Sequence, residues 1–309
     1  MSAPKPVSNL RKAFDAQGVY VFVMTPFKTT RNRQGKFEVD LNGVEENIQH
    51  FASVPGEKTM VVCGGSGEFR SLTPSEVIAV AQAAAAGAAG RCKVVSGIGG
   101  TDKTAVTMAQ AAQEAGCDAV LVMPHEPVVK RGDDALWKRH QAISRAIDIG
   151  LLPFRAPMQT LSVDLVVKLA RLPRVVAIKE ESGAVDWVRT GRRLTRNTVP
   201  FITGGGENMV PYYYLAGAVG FTTGMANLTL ARSIELHEAA ISGNWDRTMD
   251  LRDYFEPLTE MRRELGTPML KAGLEMTGLS GGPVRATGAV LDAGARRRLR
   301  RFLKSKGVL

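Results

Sequence analysis

Short runs rich in Val, Ile and Leu alternate along the chain with longer segments whose apolar positions recur at helical spacing, the rhythm of parallel strands joined by crossover helices. The pattern predicts strands at Val19–Pro26, Thr59–Cys63, Lys93–Ile98, Ala119–Pro124, Leu151–Ala156, Val175–Glu180, Phe201–Gly204 and Gly220–Thr223. Between them it predicts helices such as Leu41–Phe51, Pro74–Ala85, Thr104–Ala115, Leu136–Ile147 and Val163–Ala170. Thr73 and Pro74, followed by Ser75 and Glu76, form a helix-start signal. Eight β/α units in succession favour a (β/α)8 TIM barrel over an open doubly wound sheet. The expected organisation is a barrel over residues 1–243 and a helical C-terminal extension over 244–309 packed on it.

Composition narrows this picture only modestly. At 309 residues and 44% hydrophobic, the chain is long enough to bury a full core, and at 23% charged it has no signature of disorder. The formal net charge of +10 raises the question of nucleic acid. Much of that charge is terminal: Arg296, Arg297, Arg298, Arg300, Arg301, Lys304 and Lys306 surround Leu299, Phe302 and Leu303, which fall on one helical face. A docked amphipathic helix with a solvated basic side accounts for it, and with no aromatic interleaving or binding motif, nucleic acid is disfavoured as a partner. The polar stretch Met1–Gln17 lacks the apolar centre of a signal peptide, and no run of about eighteen apolar residues occurs, so a cytoplasmic protein without membrane association is expected. Cys63, Cys92 and Cys117 are odd in number and widely spaced, which argues for reduced thiols and against a zinc site.

In a barrel of this kind chemistry sits where strands end, at the C-terminal face. Lys179 is the one charge in the apolar run Val175-Val176-Ala177-Ile178-Lys179. An amine among apolar walls loses hydration, its pKa falls, and its neutral form attacks carbonyl carbon to give an imine. Other strand ends supply Gly64-Gly65-Ser66-Gly67, Phe154-Arg155, Gly204-Gly205-Gly206 and Thr222-Thr223. Glycine N–H groups approach an anion closely and Ser66 adds a hydroxyl, so Gly65 and Ser66 suit a carboxylate, while Phe154, Arg155, Gly205 and Thr222 complete the candidate binding set.

Gly64-Gly65-Ser66-Gly67-Glu68-Phe69 with Ser71-Leu72-Thr73, then Val176-Ala177-Ile178-Lys179-Glu180, resemble the dihydrodipicolinate synthase / N-acetylneuraminate lyase superfamily. Gly224-Met225-Ala226-Asn227 and Gly282-Pro283-Val284-Arg285 extend the resemblance in order along nearly the whole chain. It implies a barrel with a helical extension, a homo-oligomer (dimer or tetramer), and an imine between Lys179 and a 2-keto acid such as pyruvate or a keto-deoxy sugar acid. It implies no metal and no organic cofactor. The form of the second loop is most similar to 5-dehydro-4-deoxyglucarate dehydratase, whereas Glu180-Glu181-Ser182-Gly183 is closer to the synthase and lyase pattern.

The chain departs from that family at strand five, where a catalytic tyrosine is usual and Phe154 stands. Phenylalanine keeps the ring and loses the proton-transferring hydroxyl. His125 is the first candidate to replace it, with Glu126 and Arg155 after it; Arg155 alternatively clamps a second substrate carboxylate or pairs with Glu181 or Glu180. The alternative to a Schiff-base lyase is a barrel that binds keto acids without turning them over.

Overall fold

The computed structural model describes residues 9–309. A short helix α1 (Asn9–Phe14) precedes β1 (Gly18–Phe22), and a hairpin of β2 (Phe27–Arg31) and β3 (Phe37–Val39) follows it. Then come α2 (Leu41–Ser53), β4 (Lys58–Val62), α3 (Pro74–Ala88), β5 (Lys93–Ile98), α4 (Asp102–Glu114), β6 (Ala119–Val122), α5 (Glu126–Val129) and α6 (Asp133–Ala146). The second half holds β7 (Gly150–Leu152), β8 (Phe154–Arg155), α7 (Val163–Leu169), β9 (Ile178–Glu180), α8 (Val185–Leu194), β10 (Phe201–Thr203), α9 (Val210–Ala216), β11 (Gly220–Thr223) and α10 (Ala226–Ile241). Three more helices complete the chain: α11 (Trp245–Leu265), α12 (Thr267–Met276) and α13 (Ala293–Ser305).

All pairings in the large sheet are parallel, and its order is β7-β6-β5-β4-β1-β11-β10-β9-β8. Its two end strands are halves of one strand interrupted at Pro153, which has no N–H to give to a ladder. Leu151 bridges Val175 while Phe154 and Arg155 pair with Lys179 and Glu180, so the fifth strand touches the sixth along both halves and the sheet closes. This is the expected (β/α)8 barrel.

Period-two alternation sorts the strand residues. Val19, Val21, Met60, Val62, Val120 and Val122 belong to the core shared with the helices, whereas Tyr20, Phe22, Val61, Val95, Leu121 and Leu152 fill the interior. The helices answer with apolar stripes, as in Val44, Ile48 and Phe51 of α2 against Val77, Val80 and Ala84 of α3. These helices touch closely at Gly87, where a Cβ would stand 2.5 Å from the Glu45 carbonyl oxygen. Thr73 and Glu76 form a reciprocal capping box around Pro74 at the start of α3.

Several expectations need correction. The first predicted strand ends at Phe22 rather than Pro26, and regular pairing in the sixth begins only at Ile178. The β2–β3 hairpin was not foreseen. The region after Asn244 is helical except between Thr277 and Asp292, where the chain runs in turns and extended segments. The terminal helix docks through Leu299 and Leu303, both fully buried, with Arg298 paired to Glu264. No helix among the described residues is long and apolar enough to cross a membrane.

Candidate active site

At the C-terminal ends of the barrel strands lies a cavity of about 250 Å³. It is near the small end of ligand sites, a size that suits a small metabolite. Gly65 and Ser66 follow β4, Phe154 opens β8, Lys179 sits in β9, Gly205 follows β10 and Thr222 lies in β11; all six line it. Phe22, Met123, Glu181, Gly206, Glu207, Thr223, Gly224 and Met225 complete the barrel's share. Thr259 and Arg262 reach it from α11.

Lys179 is 1% exposed. Its Nζ stands 3.8 Å from the centre of the Phe154 ring and 4.3 Å from that of Phe22, and it is hydrogen-bonded to the Glu181 carboxylate. Burial pushes the ammonium below the ordinary lysine range, while Glu181 and, less strongly, Glu180 pull the other way. A lysine so placed reaches the neutral, nucleophilic form at lower pH than a surface lysine.

Strand alternation explains what surrounds it. Glu180 faces away from the cavity and is fully buried, accepting from Arg155 at 2.7 Å, from the Ser182 N–H at 2.6 Å and from the Tyr213 hydroxyl. Arg155 also lies over the Trp187 ring at 4.7 Å. Glu181 returns to the lysine's side of the strand, 40% exposed, and Gly204 makes room for it: a Cβ there would fall 2.2 Å from Glu181 Cγ.

The glycine loop is held in place rather than left mobile. Cys63 and Glu68 flank it in the left-handed region, with φ of 54° and 57°. Thr25 donates to the Gly67 carbonyl at 2.7 Å. Glu68 is fixed by Lys271 at 2.8 Å and by the Arg285 N–H at 2.9 Å, and Arg285 pairs with Glu76 through both guanidinium ends. The Gly282–Arg285 motif therefore acts through the loop it anchors. Asn227 serves likewise, joining the ends of β1 and β11 through bonds to Phe22 O, Gly224 O and Met24 N. Glu207 is buried beneath the cavity and accepts from Thr223 and Ser233; burial raises its pKa and those hydroxyls partly offset the rise.

Three candidates fall outside the cavity lining. Glu126 is at the surface, where Lys130 pairs with it at 2.6 Å and holds its carboxyl below the ordinary range. His125 is the residue before α5 and borders no part of the cavity; partial burial and the Arg139 charge lower its pKa. Arg155 is paired with Glu180, one of the two ion pairs weighed for it, and does not line the cavity. Glu181, Glu207 and Arg262 were not foreseen as site residues. Only Glu181 carried a sequence signal, since two positions beyond Lys179 a strand returns to the same face. No tyrosine lines the cavity, and among the described residues no group of three His, Cys, Asp or Glu side chains could hold a metal ion.

Comparison with known proteins agrees with the barrel. The chain is 27% identical over 274 residues to 4-hydroxy-tetrahydrodipicolinate synthase of Methanospirillum hungatei, covering 87% of this chain and 92% of that one. It is 27% identical over 276 residues to a probable 5-dehydro-4-deoxyglucarate dehydratase of Chelativorans, covering 87% and 89%. The crystal structure of dihydrodipicolinate synthase from Oceanobacillus iheyensis superposes with a TM-score of 0.83 at 27% identity, over 97% of this chain and 100% of that one. Residues 15–306 match the dihydrodipicolinate synthetase family, and the chain belongs to it.

Proposed function

We propose that the protein is a Schiff-base lyase, an aldolase or dehydratase acting on a 2-keto acid such as pyruvate or a keto-deoxy sugar acid. The observation that carries this reading is a fully buried lysine amine opening onto the same cavity as the Gly65-Ser66 loop. In this reading the loop receives the keto acid's carboxylate and Nζ attacks the adjacent carbonyl carbon. The resulting cationic imine draws in the electron pair released when a C–C bond breaks or a neighbouring proton leaves, so the chemistry needs no metal or organic cofactor. Apolar walls at Phe22, Phe154 and Met123 exclude water from the intermediate.

Incubation with pyruvate and borohydride is expected to add one reduced pyruvyl mass at Lys179. The same labelling in a Lys179→Ala protein would rule the assignment out.

Phe154 supports a second reading, a keto-acid-binding barrel without turnover, because the ring under Nζ has no hydroxyl. A Phe154→Tyr protein separates the two. A large gain in turnover on a family substrate favours decay of an older activity, and a loss favours a site retuned around phenylalanine.

A further inference from the structure

We infer that Glu181 is the acid–base residue of this site, carrying protons between Lys179 and the substrate oxygen in place of a phenol at position 154. The inference rests on the lyase reading and names a catalytic group for it.

The geometry is specific. Of the acidic side chains lining the cavity, Glu181 is the one bonded to the nitrogen that must lose protons. Glu207 is tethered to Thr223 and Ser233, and Glu180 is turned to the far side of the strand and held by Arg155. The remaining charged lining residue, Arg262, is a permanent cation. The fold also accommodates the carboxylate deliberately: residue 204 has no side chain where one would collide with Glu181. With 40% exposure, Glu181 touches both the enclosed amine and the open mouth, the position needed to follow an oxygen from carbonyl to departing water.

The proton count closes with these groups alone. The ammonium of Lys179 gives a proton to Glu181, and the neutral amine attacks the keto carbon as the C=O π pair moves to oxygen. Glu181 protonates that oxygen, giving a hydroxyl, and takes a second proton from the nitrogen, which is now a secondary ammonium. It delivers this proton to the hydroxyl, the C–O bond breaks, water leaves, and the nitrogen lone pair closes the C=N bond. Both protons depart in water, and Glu181 ends as the carboxylate it began as. Hydrolysis of the product imine uses the same steps reversed.

The test is the rate at which wild-type and Glu181→Gln proteins, mixed with pyruvate and quenched with borohydride at timed intervals, acquire the adduct at Lys179. Glutamine keeps the size and cannot carry a proton, so the adduct is expected to form roughly 10²-fold more slowly, within the span typical of a lost acid–base group. Loss of Glu181 as a mere charge partner would let the Lys179 pKa fall and move the pH profile to lower pH without slowing its plateau, so a slower plateau is the mark of lost proton transfer. Adding Phe154→Tyr to Glu181→Gln is expected to recover at least about tenfold by returning a hydroxyl to the ring beside Nζ. A wild-type plateau rate in Glu181→Gln, with or without a shifted pH profile, would overturn the inference alone. No adduct in the wild-type protein would overturn the lyase reading and the inference with it.

Discussion

At the scale of single residues, the site depends on what is left out as much as on what is present. Gly204 follows β10 with its N–H bonded to the Glu180 carbonyl of β9, and a methyl group there would occupy the space of the Glu181 side chain. Gly204→Ala therefore displaces Glu181 from Lys179 while leaving every reacting group in the chain. Adduct formation with pyruvate is expected to slow by about 10-fold or more, and overpacking to lower stability by about 1–3 kcal/mol. Timed borohydride trapping alongside a urea titration reads both; an unchanged trapping rate would show that Glu181 is unnecessary where it sits. Lys179 adds a pH expectation. Its pKa is lowered by burial, so trapping rises with pH and levels off below the range of an ordinary lysine, whereas a solvent-exposed amine would go on gaining into that range.

At the scale of elements, two helices bury histidines that titrate far from their usual range. His140 in α6 and His237 in α10 are both lowered to about 4, chiefly by burial. His140 bonds the Leu136 carbonyl at 2.7 Å and His237 the Tyr214 hydroxyl at 2.7 Å. Because the unfolded chain takes up these protons near pH 6.5 and the folded one only near 4, stability is full above about 6.5 and falls as the pH drops toward 4. Each histidine contributes up to ~3 kcal/mol of this loss. Urea midpoints measured from pH 7 to 4.5 are expected to fall, and less steeply in His237→Gln; an equal slope in the variant would assign the acid sensitivity elsewhere.

Elements were also the most legible level of the sequence. Strand and helix periods located the eight units, because apolar runs and capping signals such as Thr73-Pro74 are local. Lys179, Gly65 and Ser66 also stand out locally, by contrast with the apolar runs before them, but the roles expected of them came from the family resemblance rather than from that contrast. The partners of Arg155 and the isolation of Glu126 were less legible, since they depend on which way a loop turns after its strand. Arg262 was not legible at all. It lies in a charged helical stretch, Glu260-Met261-Arg262-Arg263-Glu264, and only the docking of α11 over the barrel mouth distinguishes it from Arg263.

At the scale of the whole molecule, the C-terminal extension does more than cover the barrel. Through Lys271 and Arg285 it pins the glycine loop from behind, and through Thr259 and Arg262 it supplies part of the cavity wall. Arg262 is desolvated enough to lower its pKa, yet among the described residues its guanidinium donates only to Thr267, at 3.4 Å, and no carboxylate pairs with it. A half-buried guanidinium without a counterion attracts an anionic group on the bound molecule, and its forked donors fit a carboxylate. In the proposed reading pyruvate places its single carboxylate on the Gly65-Ser66 loop and has nothing to offer Arg262; a longer 2-keto acid ending in a second carboxylate does. Arg262→Ala is thus expected to raise KM for such a diacid by roughly 10- to 100-fold, the worth of a hydrogen bond to a charged group, and to change pyruvate trapping at Lys179 by less than about twofold. Steady-state kinetics on a panel of 2-keto acids of increasing length checks this, and equal losses on mono- and diacids would mean that Arg262 shapes the wall without reading the far end of the substrate.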